Sequence, residues 1–233
     1  MAGRRAAARP PRPRSRHFLR SRSLAVAIVA GAEIGASDLV VDIGAGTGRL
    51  TAELARAARR VVAIELDPRL AHSLRGRWPN VTVVEADALT VALPDEPFRV
   101  VANLPFAHTA DLLHRLLDDP VLPLERADLI VEWGVAVKRG LPSPSNVSGI
   151  LWGAFHELRV ERKLPASAFD PPPGCDAGLL VVTRRPRPLI AAGELPAYRR
   201  FVADAFRGGR RIGGALPRDL DAHQWAERFR RRA

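Results

Sequence analysis

The sequence predicts a doubly wound α/β domain, a parallel sheet covered by helices on both faces, followed by a small helical C-terminal region. Three observations carry this. Short apolar runs rich in β-branched residues alternate with stretches of helical spacing. A glycine cluster, Gly44-Ala45-Gly46-Thr47-Gly48, stands where the first such run meets a helical stretch. Beyond about residue 185 the chain is rich in Arg, has helical spacing and shows no strand pattern.

The elements follow in order. Residues 24–31 suit a helix, and 39–42 form a short apolar strand that ends in the glycine cluster. A helix over 50–58 leads to a β-branched strand at 61–65, and a helix at 68–77 leads to a strand at 81–85 that is followed by Asp87. Residues 98–102 are a strand ending at Asn103-Leu104-Pro105-Phe106. A helix at 109–117, a strand at 129–132, a helix at 147–155 and strands near 157–163 and 178–183 complete the domain. Short apolar strands between helices are the mark of a sheet buried on both faces. Arg184-Arg185-Pro186-Arg187-Pro188 reads as a linker. After it, 198–206 and 223–231 have helical spacing, with Asp219 or Asp221 placed to cap the last helix. The domain organisation expected is a disordered basic arm over 1–16, an α/β domain over 17–185 and a small helical domain over 186–233.

With 233 residues, 47% of them hydrophobic, the chain is long enough to bury a sizeable core. Its net charge of +11 comes from clustered Arg, since Lys138 and Lys163 are the only lysines. Such an excess points to a polyanionic partner, nucleic acid before membrane. The apolar run from Leu24 is far too short to span a bilayer. The single cysteine, Cys175, excludes an internal disulfide, and no Cys/His spacing suits zinc. Cys175 is expected to be a buried small hydrophobe. A cytoplasmic, monomeric protein without a metal is expected.

The glycine cluster lets the chain turn tightly and lets a ligand come close to the backbone. Glu65 closes the next strand, at a spacing that suits a carboxylate gripping the two hydroxyls of a ribose. A dinucleotide site would want glycine where Arg49 stands, so the ligand need carry no pyrophosphate. Asp42, Glu65 and Asp87 together make an acid-rich site that suits a cation. S-adenosylmethionine has the ribose and the cationic sulfonium, and lacks a phosphate. Gly44, Gly46, Glu65 and Asp87 are therefore the expected cofactor-binding residues, Asp87 accepting from the adenine amine.

Asn103-Leu104-Pro105-Phe106 follows the fourth strand, beside that site. The N6 lone pair of adenine is delocalised into its ring and must be localised before it attacks a methyl group. The Asn103 side-chain oxygen and the Leu104 carbonyl are the expected acceptors for the amine hydrogens. Pro105 stiffens the turn, and Phe106 offers a face on which a flipped base stacks. No strong general base is needed, because the methylated nitrogen is cationic and loses its proton readily. The work is alignment. His108 and His114 are read as ordinary surface or core histidines.

These segments resemble the ribosomal RNA adenine N6-methyltransferases, and within them the Erm type, over about residues 15–184. Ser15-Arg16-His17-Phe18-Leu19 resembles the family's opening Ser-Gln-Asn-Phe-Leu. Asp42 to Gly48, Val62-Ala63-Ile64-Glu65-Leu66-Asp67, Glu85-Ala86-Asp87-Ala88-Leu89 and the Asn103 turn resemble its cofactor and catalytic segments. Glu132-Trp133-Gly134-Val135-Ala136 is similar to an Erm stretch, and Phe169, Pro171 and Pro173 match a Phe-x-Pro-x-Pro pattern. The resemblance implies a Rossmann-like class I methyltransferase sheet and S-adenosylmethionine as cofactor. It implies methylation of 23S ribosomal RNA, with resistance to macrolide, lincosamide and streptogramin B antibiotics. It also implies cofactor contacts from His17, which stands where the family has Asn, and from Leu19 through its backbone, and a place for Phe169 beside the target base. Asn103 is expected in both the cofactor and the catalytic site.

The rivals are a small-subunit (16S) rRNA dimethyltransferase, a small-molecule methyltransferase, a DNA adenine methyltransferase and a non-enzymatic RNA-binding protein on the same fold. The charge disfavours a small-molecule substrate. The short C-terminal region leaves no room for a DNA-recognition domain, and an intact acidic pocket has no use in a pure binding module. Clustered Arg residues from Arg4 to Arg22, and Arg199, Arg200, Arg207, Arg210 and Arg211, are expected to hold the RNA backbone.

Overall fold

A computed structural model describes residues 16–141, 146–208, 211 and 214–232. The arm expected over 1–16 lies outside the described residues except for Arg16, and Arg210 lies outside them too. The chain runs β1 (Phe18–Leu19), α1 (Arg22–Gly31), β2 (Leu39–Ile43), α2 (Arg49–Ala57), β3 (Arg60–Glu65), α3 (Pro68–Leu74) and β4 (Val81–Glu85). It continues β5 (Phe98–Asn103), α4 (Thr109–Leu117), β6 (Leu124–Glu132), α5 (Trp133–Gly140), α6 (Val147–Gly153), β7 (His156–Leu164), β8 (Phe169–Asp170) and β9 (Ala177–Arg184). Two further helices, α7 (Leu195–Gly208) and α8 (Ala222–Arg230), close it.

Seven strands form one sheet in the order β4-β3-β2-β5-β6-β9-β7. The pairs from β4 to β6 are parallel, whereas β9 runs antiparallel to both of its neighbours. The expected parallel sheet is corrected at this one strand, and the reason lies in the connections. Strands that run parallel in one sheet need a long crossover, which α5 and α6 provide between β6 and β7, the strands that flank β9. The segment from β7 to β9 contains no α-helix, so β9 turns back and fills the gap antiparallel.

Both faces of the sheet are buried. Along β2, Leu39, Val41 and Ile43 face one apolar cluster with Phe98, Val100 and Leu112, while Val40 faces the other with Ile28, Leu54 and Val181. This is the two-residue alternation of a pleated strand. Helix α5 is absent from the sequence reading, and Gly134, Gly140 and two valines explain why local propensity is poor there. Packing secures it instead. Ala136 is fully buried against β9, where a Cβ on Gly178 would stand 2.6 Å from the Ala136 Cβ.

The C-terminal helices build a third cluster in which Tyr198, Val202 and Trp225 pack on Ile150, Leu151 and Phe155. Helix α6 is thus shared between the sheet and the tail. Of the two candidate caps, Asp221 accepts from the Gln224 amide at 2.8 Å and Gln224 returns a bond to the Asp221 amide.

Candidate active site

β2 pairs with β3 on one side and β5 on the other, so the strand order reverses between β2 and β5. Crevices for ligands open at the carboxyl ends of strands at such a point. A cleft of about 390 Å³ lies there, walled by Gly44, Gly46, Glu65, Asp87, Asn103, Leu104, Pro105, Phe106 and His17. Nine of the eleven residues expected at the site are thereby brought together.

The glycine turn is shaped by backbone demand. Gly44, Gly46 and Gly48 have φ of 72°, 58° and 80°, the left-handed region that side chains rarely adopt. A Cβ on Gly46 would also lie 2.8 Å from Phe18 Cε1. Glu65 is clamped by two amides, accepting from Gly46 N at 2.8 Å with Oε2 and from Asp67 N at 2.8 Å with Oε1. Each oxygen keeps a lone pair for a further donor. Leu66 is a large apolar residue left 63% exposed, and it lines the cleft together with Ala88 and Leu89. Its exposed apolar position right after the strand-ending acid was the signal available in the sequence.

Asp42 lies beneath the turn, buried, and accepts from the Thr51 hydroxyl at 2.6 Å. Burial pushes its carboxyl up to about 7, against the pull of the Thr51 hydrogen bond and with the help of the nearby Glu65 charge. Asp87 is exposed, and one of its oxygens accepts from the Leu89 amide at 2.9 Å.

Asn103 ends β5, and its amide is held by one side only. Nδ2 donates to the His17 carbonyl at 2.6 Å, while the buried Oδ1 has no partner in the protein. The turn after it is tied to the sheet by Leu104 N donating to Ile130 O at 3.1 Å. It is also tied to β6 by the Thr109 hydroxyl, which donates to Glu132 Oε2 at 2.8 Å. The Phe106 ring lies 5.6 Å from the His17 ring and 6.5 Å, edge-on, from Phe169.

Phe169 and Leu19 stand outside the cleft wall. Phe169 is fully buried behind Phe106, and Leu19 is buried opposite it in the β1–β8 pair. His17 Nδ1 lies 2.8 Å from the Pro171 carbonyl. His108 borders the cleft, and His114 pairs with Asp118 at 3.0 Å. Cys175, expected in the core, is exposed. It lies on the surface connection between β8 and β9. Arg199, Arg200, Arg207 and Arg211 are all exposed. Among the described residues no cluster of three metal-ligating side chains occurs, and no helix is long and apolar enough to cross a membrane.

Comparison with known proteins fits this geometry. The ribosomal RNA adenine dimethylase family matches residues 13–213. An rRNA methyltransferase of Streptomyces thermotolerans is 34% identical over 99% of this chain and 78% of its own. The mycinamicin-resistance protein MyrB of Micromonospora griseorubida is 31% identical over 92% of this chain and 76% of its own. Among solved structures, the 23S rRNA methyltransferase ErmE is 30% identical with a TM-score of 0.77, over 92% of this chain and 98% of that one.

Proposed function

The chain belongs to the ribosomal RNA adenine dimethylase family, and on that premise we propose that it transfers a methyl group from S-adenosylmethionine to N6 of one adenine in 23S ribosomal RNA, with resistance to macrolide, lincosamide and streptogramin B antibiotics as the outcome. The 23S target and the resistance follow the names of its relatives, a mycinamicin-resistance protein and a 23S rRNA methyltransferase. The observation that carries the chemistry is Asn103. Its Nδ2 is committed to the His17 carbonyl, which leaves a buried, unpartnered Oδ1 aimed for an incoming donor. A buried acceptor without a partner is costly unless a ligand completes it.

The residues present fit the cofactor. The bound S-adenosylmethionine supplies an electrophilic methyl group. Glu65 has lone pairs for the ribose hydroxyls, Asp87 receives the adenine amine, and Leu66 and Leu89 cover the ring. The bare glycine backbone allows close approach at Gly44 and Gly46.

On the substrate side, Asn103 Oδ1 and the Leu104 carbonyl accept the two N6 hydrogens and turn the nitrogen lone pair toward the methyl group. Phe106 stacks on the flipped base, with Phe169 bracing it from behind. The proton on the methylated nitrogen leaves to solvent, so no side chain is required as a base. The exposed Arg residues of α7, together with the Arg residues of the N-terminal sequence, hold phosphates and set the salt dependence of binding.

Purified protein incubated with labelled S-adenosylmethionine and protein-free 23S or 16S rRNA, followed by mapping of the label, tests the proposal. Label on one 23S adenine is expected. Label on 16S RNA alone would place the chain with the small-subunit enzymes, and no label on either would refute the RNA assignment.

A further inference from the structure

Arg16 and Asp67 lie 51 positions apart and meet across the edge of the cleft, Arg16 Nη1 donating to Asp67 Oδ2 at 2.6 Å. The Asp67 carboxylate divides its work. Oδ1 caps helix α3, accepting from Arg69 N at 2.8 Å and Leu70 N at 3.4 Å, and Oδ2 takes Arg16. The Arg16 guanidinium holds the Asp67 carboxyl below its ordinary range. Both side chains are partly exposed, and ion pairs of that kind contribute little to folding. The pair does not serve to hold the sheet together.

Its position suggests what it does. On one side, the Asp67 main-chain amide donates to Glu65 Oε1 at 2.8 Å, so the residue gripped by Arg16 also orients the carboxylate expected to take the ribose. On the other side, Arg16 precedes His17, whose carbonyl fixes the Asn103 amide at 2.6 Å, and Phe18, whose ring lies on Gly46. Arg16, His17 and Phe18 form the part of the cleft wall that comes from the N-terminal segment, and Leu66 and Leu70 line the same cleft from the β3–α3 region. Beyond Phe18 the segment is anchored by the β1–β8 pairing and by Arg20 N donating to Ala168 O at 2.9 Å. On the cleft side of that anchor, the Arg16–Asp67 pair crosses to the β3–α3 turn.

We propose that the Arg16–Asp67 ion pair is a clasp that holds residues 16–18 closed over the nucleoside end of the cofactor, and that Arg16 is a positioning residue for cofactor binding. The inference rests on the reading of the cleft as an S-adenosylmethionine site. When the clasp is closed, the Asp67 that orients Glu65 through its amide also holds the segment that walls the cofactor end of the cleft. When it is lost, the α3 cap survives on Asp67 Oδ1, but the wall over the cofactor is free to swing away from the β3–α3 turn.

Calorimetry on the full chain, with S-adenosylmethionine and with S-adenosylhomocysteine as titrants, tests this in wild type, Arg16→Ala, Arg16→Lys, Asp67→Asn and the Arg16→Ala/Asp67→Asn double variant. Asp67→Asn keeps an oxygen for the cap and removes the charge. Each single loss is expected to weaken binding roughly tenfold, and the double variant to be no weaker than either, because residues in one contact are not additive. Arg16→Lys should recover part of the loss. In methyl transfer the defect should fall on KM for the cofactor, with kcat at saturating cofactor kept within about twofold. Wild-type affinity in Arg16→Ala, or losses that multiply in the double variant, would overturn the clasp. A wild-type chain that binds neither titrant would instead overturn the methyl-donor reading, and this inference with it.

Discussion

The Asn103 side-chain amide donates from Nδ2 to the His17 carbonyl at 2.6 Å, across 86 positions of sequence. That bond commits Nδ2 and leaves the buried Oδ1 without a partner in the protein. Asn103→Ala removes the oriented acceptor, and methyl transfer should fall by about 10²–10³-fold, as when one preorganised polar group is deleted from other active sites. Single-turnover transfer at saturating cofactor checks this. Retained transfer would move the alignment role to the Leu104 carbonyl alone.

Phe106 faces the cleft with its edge supported by Phe169. Phe106→Ala should cost about 1–3 kcal/mol of RNA binding through lost stacking, with cofactor affinity nearly intact. Equal losses in RNA binding and cofactor binding would count against stacking on a base.

Gly46 cannot carry a side chain without disturbance. Its φ is 58°, and a Cβ would stand 2.8 Å from Phe18. Gly46→Ala should destabilise the chain by about 1–2 kcal/mol from the left-handed backbone, and it should weaken cofactor binding because Phe18 must shift. Urea unfolding and calorimetry read the two effects separately. Unaltered values in both would mean that the turn relaxes freely.

Asp42 sets a pH dependence of stability. Its folded pKa is raised to about 7 from the ordinary 3.8, chiefly by burial. Between those values the folded chain holds a proton that the unfolded chain has released. Stability from this group therefore falls as pH rises through that window and levels off above it. Asp42→Asn still accepts from Thr51 but cannot ionise, so it should lose this slope. Urea midpoints of wild type and variant, compared at about pH 5 and about pH 8, should converge at the lower pH and separate at the higher. Parallel behaviour would show that Asp42 titrates normally.

Cutting the chain after residue 185 should not give a stable α/β domain. It would uncover Ile150, Leu151 and Phe155, which are buried against Tyr198, Val202 and Trp225. Each such side chain loses roughly 1.5–3 kcal/mol when returned to water. A shortened chain that stays soluble with an unchanged urea midpoint would make the region from 186 to 233 an independent domain.

Local patterns in the sequence were enough for the alternation of strands and helices, the glycine turn, the placing of Glu65, Asp87 and Asn103 at strand ends, and the helical tail. Each of these depends on neighbours a few positions apart: a two-residue or 3.6-residue period, a left-handed glycine, a cap. What only the tertiary structure decided depends on residues far apart in the chain. Helix α5 forms against local propensity because Ala136 finds the bare backbone of Gly178. β9 runs backwards because the segment before it has no crossover helix. Phe169 sits behind Phe106 instead of beside the cleft, Cys175 is outside the core, and the cleft wall is completed by His17 bonded to Asn103 and Arg16 paired with Asp67. No periodicity records such contacts, because they are made between side chains and carbonyls that meet only after the sheet has brought their segments together.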